Sequence, residues 1–546
     1  MSCESFSSRA DTHTEGHPRP QRVAIIIASV IMTTTSAHTE HWYPQRPYSI
    51  YAESLDGAKK RKKNLKRKYA DMAEEPDYDD TYEAHEERVI EANVVDGQPL
   101  EFNFGMWQEA IRVPIGLLKL EVRFLRKDGE DFAETMDDFE KKHPAWLREN
   151  FTTNLIKQVD FIVGGKVLEM KDHDQIARYL NVLTMPKSRE VDDWEKDLSH
   201  IQVQRRAAVS SDRAQHKLTG FNALLMPSTL PANTTAVTNA TIQARAEQEA
   251  YNELKAKPLM GSKTHRFALQ LLHPIFQEWK FMPPATPYVI KVYLNPPASC
   301  FQCRTDDVPR IVIEKATMID YLIRLSPEEA QNTNNALYDG KGQMAFPLVR
   351  RVLSEFNLAK TRSVKMQRFI TDTLPSRIAM AIVPTAAWRT NNPSQNPYDF
   401  QFPGIKSVKI TYGDKQWPPV EGGLRFNSVP NHPPPYSEEE INEMARTNMD
   451  AYMEVMKVYT PPGEVHKLAT TRKDWLSHNF VIAFDLSALG QEHSNADSRS
   501  TKFMGDITLD MSFTHENTAD MMLIVMIESK NLYTLTVPTF TSHTDY

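Results

Sequence analysis

The chain has 546 residues, a formal net charge of −7, and apolar and charged fractions of 40% and 25%, which gives a globular protein enough chain for two or three filled cores. The mildly acidic balance excludes a molecule coated in nucleic acid over its whole surface, so any such contact must come from a local patch. Three cysteines, Cys3, Cys300 and Cys303, are too few for a disulfide framework and point to synthesis in a reducing compartment.

Residues 1–88 show no sustained period of 2 or 3.6 and read as a disordered N-terminal arm. Within it, VAIIIASVIM at Val23–Met32 follows Arg19 and Arg22. The run is too short to span a bilayer and is similar to the apolar region of a secretory signal. The competing explanation is an upstream start, with Met32 or Met72 rather than Met1 as the true first residue, and the cysteine count favours it. Secretion would turn Asn150, Asn233 and Asn239 into glycosylation sequons, detectable as a mass shift. The basic block Lys59, Lys60, Arg61, Lys62, Lys63, Lys66, Arg67 and Lys68 is followed at once by acidic residues from Glu74 to Asp80. Like charges packed this closely cannot fold on themselves. They mark either a solvated tail or one that binds an anionic partner or serves as a nuclear import address. Binding to nucleic acid would then proceed by phosphate neutralisation, without base selectivity and with steep salt dependence. His13, His17, His38 and His41 are scattered in the arm without metal-site spacing.

A first β-domain is expected over residues 89–305. Val89–Val94 and Pro99–Phe104 flank Asp96-Gly97 and read as a hairpin, and Leu118–Phe124 alternates apolar and polar residues as a half-buried strand does. Ile156–Lys166, IKQVDFIVGGK, is the stretch that organises the chain, because Ile405–Lys415, IKSVKITYGDK, repeats it. Ile156, Val159, Phe161 and Val163 face one way in the first copy, and Ile405, Val408, Ile410 and Tyr412 in the second. Gly164-Gly165 and Gly413-Asp414 supply the positive-φ residues of a two-residue turn. Each copy continues into a helical stretch, a long loop and two strands: Asp174–Leu183, Arg266–Leu272 and Tyr288–Leu294 in the first; Ser437–Val458, Asn479–Leu486 and Asp506–Phe513 in the second. A repeat of that length predicts two homologous all-β domains rather than a solenoid. Residues 199–263 are an insertion relative to the second copy, placed as a protruding or intersubunit feature. Trp146 and Trp194 are candidate partner anchors, with packing the commoner use. Cys300 and Cys303 form a lone C-x-x-C without a second pair, which reads as two free thiols.

The second β-domain is expected over residues 306–546. Ile311–Leu325 reads as its opening strand, ended by Ser326-Pro327 and a short helix, Glu328–Leu337. Leu348–Asn357 and Val364–Ile370 alternate again. Along the helical stretch 437–458, Ile441, Met444, Met449, Tyr452, Val455 and Met456 form an apolar stripe against Glu438–Glu440, Arg446 and Glu454. That pattern covers its own barrel more often than a neighbour.

Leu374–Phe402, LPSRIAMAIVPTAAWRTNNPSQNPYDFQF, runs into GIKSVKITYGDKQWPP from Gly404; NFVIAFDLS at Asn479, GDITLDMSF at Gly505 and MMLIVMIESKNLYTLTV at Met521 follow. This order resembles the double jelly-roll major capsid proteins of Polinton (Maverick) virus-like elements over residues 89–537, more strongly after Ile311. The resemblance implies an all-β fold of two tandem jelly-roll sandwiches with short helices in loops. It further implies homotrimers forming pseudo-hexagonal capsomers of an icosahedral shell, contacts with neighbouring capsomers and a minor vertex protein, and location in the virion. Helices at Gln175–Leu183 and Ser437–Val458 would be tower or intersubunit devices.

No phosphate cradle, nucleophile elbow or H-E-x-x-H occurs. His265 and His273 flank a strand without cupin-like ligands and read as edge and turn residues. Asp192 and Asp193 lie beside Lys187 and Arg189 on a solvated face, so no acid-base role falls to them. No catalytic, metal or cofactor residue is therefore expected. Two further readings stand beside the shell protein. A hydrolase of the glycan-amidase kind, built on two jelly rolls, would want a signal, disulfides and a carboxylate cluster. A nuclear binding module derived from a capsid gene has the basic block as its cue.

Overall fold

A computed structural model describes residues 82–183, 258–486 and 506–545, apart from short breaks within them. The basic block, Val23–Met32, Trp194, Asp192, Asp193, Asp414 and most of the 199–263 insertion lie outside the described residues.

The repeated hairpin forms in both places. β6 (Ile156–Val163) turns into β7 (Lys166–Met170), and β15 (Ile405–Tyr412) into β16 (Lys415–Trp417). Gly164 and Gly165 sit at φ 56° and 75°, and Gly413 at φ 57°, the left-handed region that glycine enters without a Cβ penalty. Ile156 and Val159 are three residues apart and yet both buried, as are Ile405 and Val408. A bulge between Ile156 and Gln158 resets the phase in the first copy, and one between Ile405 and Ser407 does so in the second. The extra residue flips side-chain parity, so the two copies share an irregularity as well as a pattern.

Around each hairpin the strands assemble identically. The first sandwich is built from β1 (Tyr82–Glu91), β2 (Leu100–Phe104), β3 (Ala110–Val113), β4 (Leu117–Leu125), β5 (Ala145–Leu147), β6, β7, β8 (Thr264–Gln270), β9 (Tyr288–Leu294), β10 (Phe301–Cys303) and β11 (Arg310–Leu325). Its two sheets run β1-β11-β4-β8, with β3 also on β11, and β2-β9-β6-β7. The second uses β12 (Gln343–Leu358), β13 (Ser363–Ile370), β14 (Arg377–Pro384), β15, β16, β17 (Leu424–Arg425), β18 (Ile482–Asp485), β19 (Ile507–Phe513), β20 (Met521–Thr536) and β21 (Thr541–Asp545). Its sheets run β12-β20-β14-β18 and β13-β19-β15-β16. Taking the eight principal strands of each sandwich in chain order, the first, eighth, third and sixth make one sheet and the second, seventh, fifth and sixth-preceding turn partner make the other. That crossing order is the jelly roll, here twice in tandem.

Three boundaries differ from the sequence reading. Val89–Val94 and Pro99–Phe104 are not paired. Gly97 does turn the chain, with the Gln98 N–H donating to the Val95 carbonyl at 3.0 Å, but β1 pairs with β11 and β2 with β9, because successive strands of a jelly roll switch sheets. Ile311–Leu325 is the last strand of the first sandwich: β11 lies between β1 and β4. β1 begins at Tyr82, inside the stretch assigned to the arm.

The helices carry their own signals. α1 (His173–Leu183) has an acidic first turn and no glycine or proline. α2 (Glu438–Thr447) opens on a capping box, the Ser437 side chain accepting from the Glu440 N–H while Glu440 accepts from the Ser437 N–H, which satisfies two otherwise orphaned donors. Asn448 breaks the stripe predicted over 437–458, and α3 (Met449–Met456) follows. Ile441, Met444, Tyr452, Val455 and Met456 are buried in the second sandwich's own core, whereas Met449 is exposed. α4 (Arg472–His478) sets Trp475 at the centre of that core, its indole N–H donating to the Val481 carbonyl at 3.0 Å.

Candidate functional site

The two sandwiches are interlocked. Ile176, Tyr179, Leu180, Val182 and Leu183 of α1 belong to the core of the second sandwich, and Phe346, Leu348 and Tyr533, from β12 and β20, belong to the core of the first. The helix expected as a tower or intersubunit device is thus the seam between the two halves of one chain.

Polar side chains on α1 stitch that seam to backbone. Arg178, buried, donates from Nε to the Tyr398 carbonyl at 2.8 Å and from Nη2 to the His478 carbonyl at 3.0 Å and to Asn479 Oδ1 at 2.6 Å. Its guanidinium lies 5.4 Å from the centre of the Phe400 ring, a stacking that suits the planar cation. The Tyr179 hydroxyl donates to the Ile524 carbonyl in β20 at 2.9 Å. A second buried arginine, Arg148, donates from Nε to the Phe301 carbonyl at 2.8 Å and from Nη2 to the Asn392 carbonyl at 3.2 Å. Arginine serves here because its fork of donors can satisfy several fixed carbonyls at once.

The titratable groups of the seam are shifted by burial. Asp174 accepts from the Tyr398 hydroxyl at 2.7 Å, and burial, helped by the charge of Asp172, raises its pKa to about 6. His173 accepts from the Leu272 N–H at 3.1 Å, and His273 bonds the Leu168 carbonyl at 3.0 Å. Burial lowers His173 to about 3, with the charge of His273 adding to it, and lowers His273 to about 4. His273 is therefore a core residue rather than one at an edge. His265, half-buried, bonds the Pro258 carbonyl at 2.7 Å. Cys300 and Cys303 are buried free thiols, as their spacing implied. Burial pushes Cys303 to about 12 and Cys300 higher still, against the nearby Arg148 charge, so both stay protonated and unreactive. Trp146 is packed in the first core.

These shifts predict an acid response. A carboxyl raised in the folded state stabilises below its ordinary 3.8 and loses that contribution as pH rises through about 6. The lowered imidazoles do the opposite, contributing above their ordinary 6.5 and losing it as pH falls. Between about pH 6 and pH 4, unfolding lets two imidazoles take up protons while Asp174 releases one, a net uptake near one, so stability falls by about 1.4 kcal/mol per pH unit from these groups. Asp174→Asn removes the opposing proton, so its stability should fall about 1.4 kcal/mol per unit more steeply than that of the unmodified chain. Urea midpoints across that window check it; parallel slopes would refute it.

A second charged feature, absent from the sequence reading, crosses the β20 sheet. Glu528, fully buried, pairs in register with Arg351 on β12 and Arg377 on β14. Its Oε1 accepts from Arg351 Nε at 2.6 Å and its Oε2 from Arg377 Nη1 at 3.4 Å. Arg377 in turn stacks 4.8 Å from the centre of the Tyr459 ring. The three residues come from strands far apart in sequence, so only the sheet register brings them together.

Among the described residues no group of three or more His, Cys, Asp or Glu gathers as a metal site would require, and no helix is long and apolar enough to cross a membrane. The features that stand out are surfaces and seams between like units. No family model and no curated protein matches the chain. Solved structures do resemble it. It is similar to a chain of the Sputnik virophage solved by cryo-electron microscopy, at 10% identity over 87% of this chain and 91% of that one, with a TM-score of 0.46. It is also similar to the mavirus major capsid protein, at 11% identity over 89% and 94% with a TM-score of 0.35, and to the Faustovirus major capsid protein, at 9% over 84% and 92% with 0.40. About one residue in ten is identical in each case, and the double jelly-roll assignment rests on the strand order of this chain itself.

Proposed function

We propose that this chain is a major capsid protein that associates with copies of itself into trimeric, pseudo-hexagonal capsomers, which tile an icosahedral shell in the virion. The observation that carries the reading is the interlocked pair of jelly rolls, two like units joined edge to edge in one rigidly stitched chain. Three such chains around a threefold axis present six similar sandwiches, and closed cyclic association is the common route from one chain to a symmetric building block. The chemistry within the described residues serves the seam: buried arginines, neutral imidazoles and protonated thiols hold the halves in one orientation. The basic block at Lys59–Lys68 suits nucleic acid inside a shell, and a minor protein at the vertices would complete closure. Light scattering and negative-stain electron microscopy of the purified protein test this. Trimers or shells are the expected result, and a monomer at every concentration and salt would overturn it. Removing residues 1–72 should leave trimers intact.

A further inference from the structure

The in-chain contact is head to tail. α1 of the first sandwich leaves its own core for the β20 side of the second, whereas α2 and α3, which occupy the matching place between β16 and β18, stay on their own sandwich. A heterologous contact between two like units uses the helix side of one and the sheet side of the other. It leaves the opposite pair unmatched, here the β11 side of the first sandwich and the α2–α3 side of the second.

Strand register shows which residues correspond. VIEANV at Val89–Val94 and LSEFNL at Leu353–Leu358 lie on the equivalent strands β1 and β12. Glu91 pairs with Thr317 on β11, and Glu355 with Ile524 on β20. In that alignment Val89 stands where Leu353 stands. Ile319, the partner of Val89, stands where Met526 stands, the partner of Leu353. In the second sandwich this spot is occupied: Met526 is buried in, and Leu353 packs against, the core that holds Ile176 and Tyr179 of α1. In the first sandwich Val89 is 66% exposed. On the other unmatched side, Met449 at the start of α3 is 48% exposed, although the rest of its stripe is buried.

We infer that the β11 sheet around Val89 receives the α2–α3 segment of a second copy of this chain, with Met449 as an apolar contact. The inference rests on the self-association proposed above and assigns its surface. The intermolecular joint repeats the intramolecular one, so that every sandwich in the ring offers a helix side to one neighbour and a sheet side to the other.

The test uses the full-length chain with Cys3→Ser, so that the remaining native thiols are the buried ones. Val89→Cys with Met449→Cys, under mild oxidation, should give a ladder of cross-linked dimers and trimers in a denaturing gel, and each single cysteine should give none of it beyond background. Val89→Asp should shift the protein to monomer in light scattering while its thermal unfolding stays where it was. If the unmodified protein is a trimer and either the ladder is missing or Val89→Asp remains trimeric, this contact is wrong while self-association stands. A monomeric unmodified protein takes both down.

Discussion

Arg178→Ala should cost about 3–5 kcal/mol of stability, because three buried acceptors lose their donor at once and each such orphan costs about 1–3 kcal/mol. The acceptors are the carbonyls of Tyr398 and His478 and Oδ1 of Asn479, all in the second sandwich, while the arginine belongs to the first. The change therefore weakens the joint as well as the fold. In urea, the unmodified chain is expected to unfold in one cooperative step, and the variant in two, as the sandwiches uncouple. Arg178→Lys should recover little, since a single ammonium cannot replace a planar fork aimed at three oxygens. A single transition displaced by less than about 1 kcal/mol would show that the apolar face of α1 holds the halves together unaided.

Glu528→Ala is expected to be equally severe, about 3–5 kcal/mol, for a different reason: it strands two arginine charges away from water without their counter-charge. Arg351 and Arg377 flank the carboxylate on adjoining strands and are themselves about nine-tenths buried. Glu528→Gln keeps the shape and should lose roughly half as much, through charge alone. The informative control is the triple change Arg351→Met, Glu528→Leu and Arg377→Met. Replacing a whole buried charged group by apolar side chains of similar volume is often neutral, so the triple variant should regain most of the loss in denaturation midpoint. Were it as unstable as the single variant, the row would be stabilising through packing rather than charge balance.

Legibility in the sequence followed the range of the interactions. The hairpins at Ile156 and Ile405 were readable because the turn chemistry, the alternation and the closing lysine are all local, and the repeat doubled the signal. The domain edge near Leu325 was not, because an isolated β-rich run carries no mark of which sheet it joins; pairing of β11 with β1 across more than two hundred residues decides that. Asp96-Gly97 announced a turn correctly but not the switch of sheets that follows it. The seam was hidden for the same reason. Arg178 and Tyr179 look like the polar face of an amphipathic helix until Tyr398, His478 and Ile524 arrive from distances of 220, 300 and 345 residues. Asn448, which divides the predicted helix, bonds back to the Met444 carbonyl and to Asn427, a local competition that its residue type does foreshadow.

The exchange of side chains between the two cores sets an order of events during synthesis. α1 leaves the ribosome hundreds of residues before β20, against which it packs, so its apolar side must wait uncovered while the rest of the polypeptide is made. Likewise the first core stays incomplete until Phe346, Leu348 and finally Tyr533 are delivered to it. A nascent chain in that condition is exposed to aggregation and is a natural client for holding chaperones. Splitting the gene between the sandwiches would yield two sticky fragments rather than two independent domains.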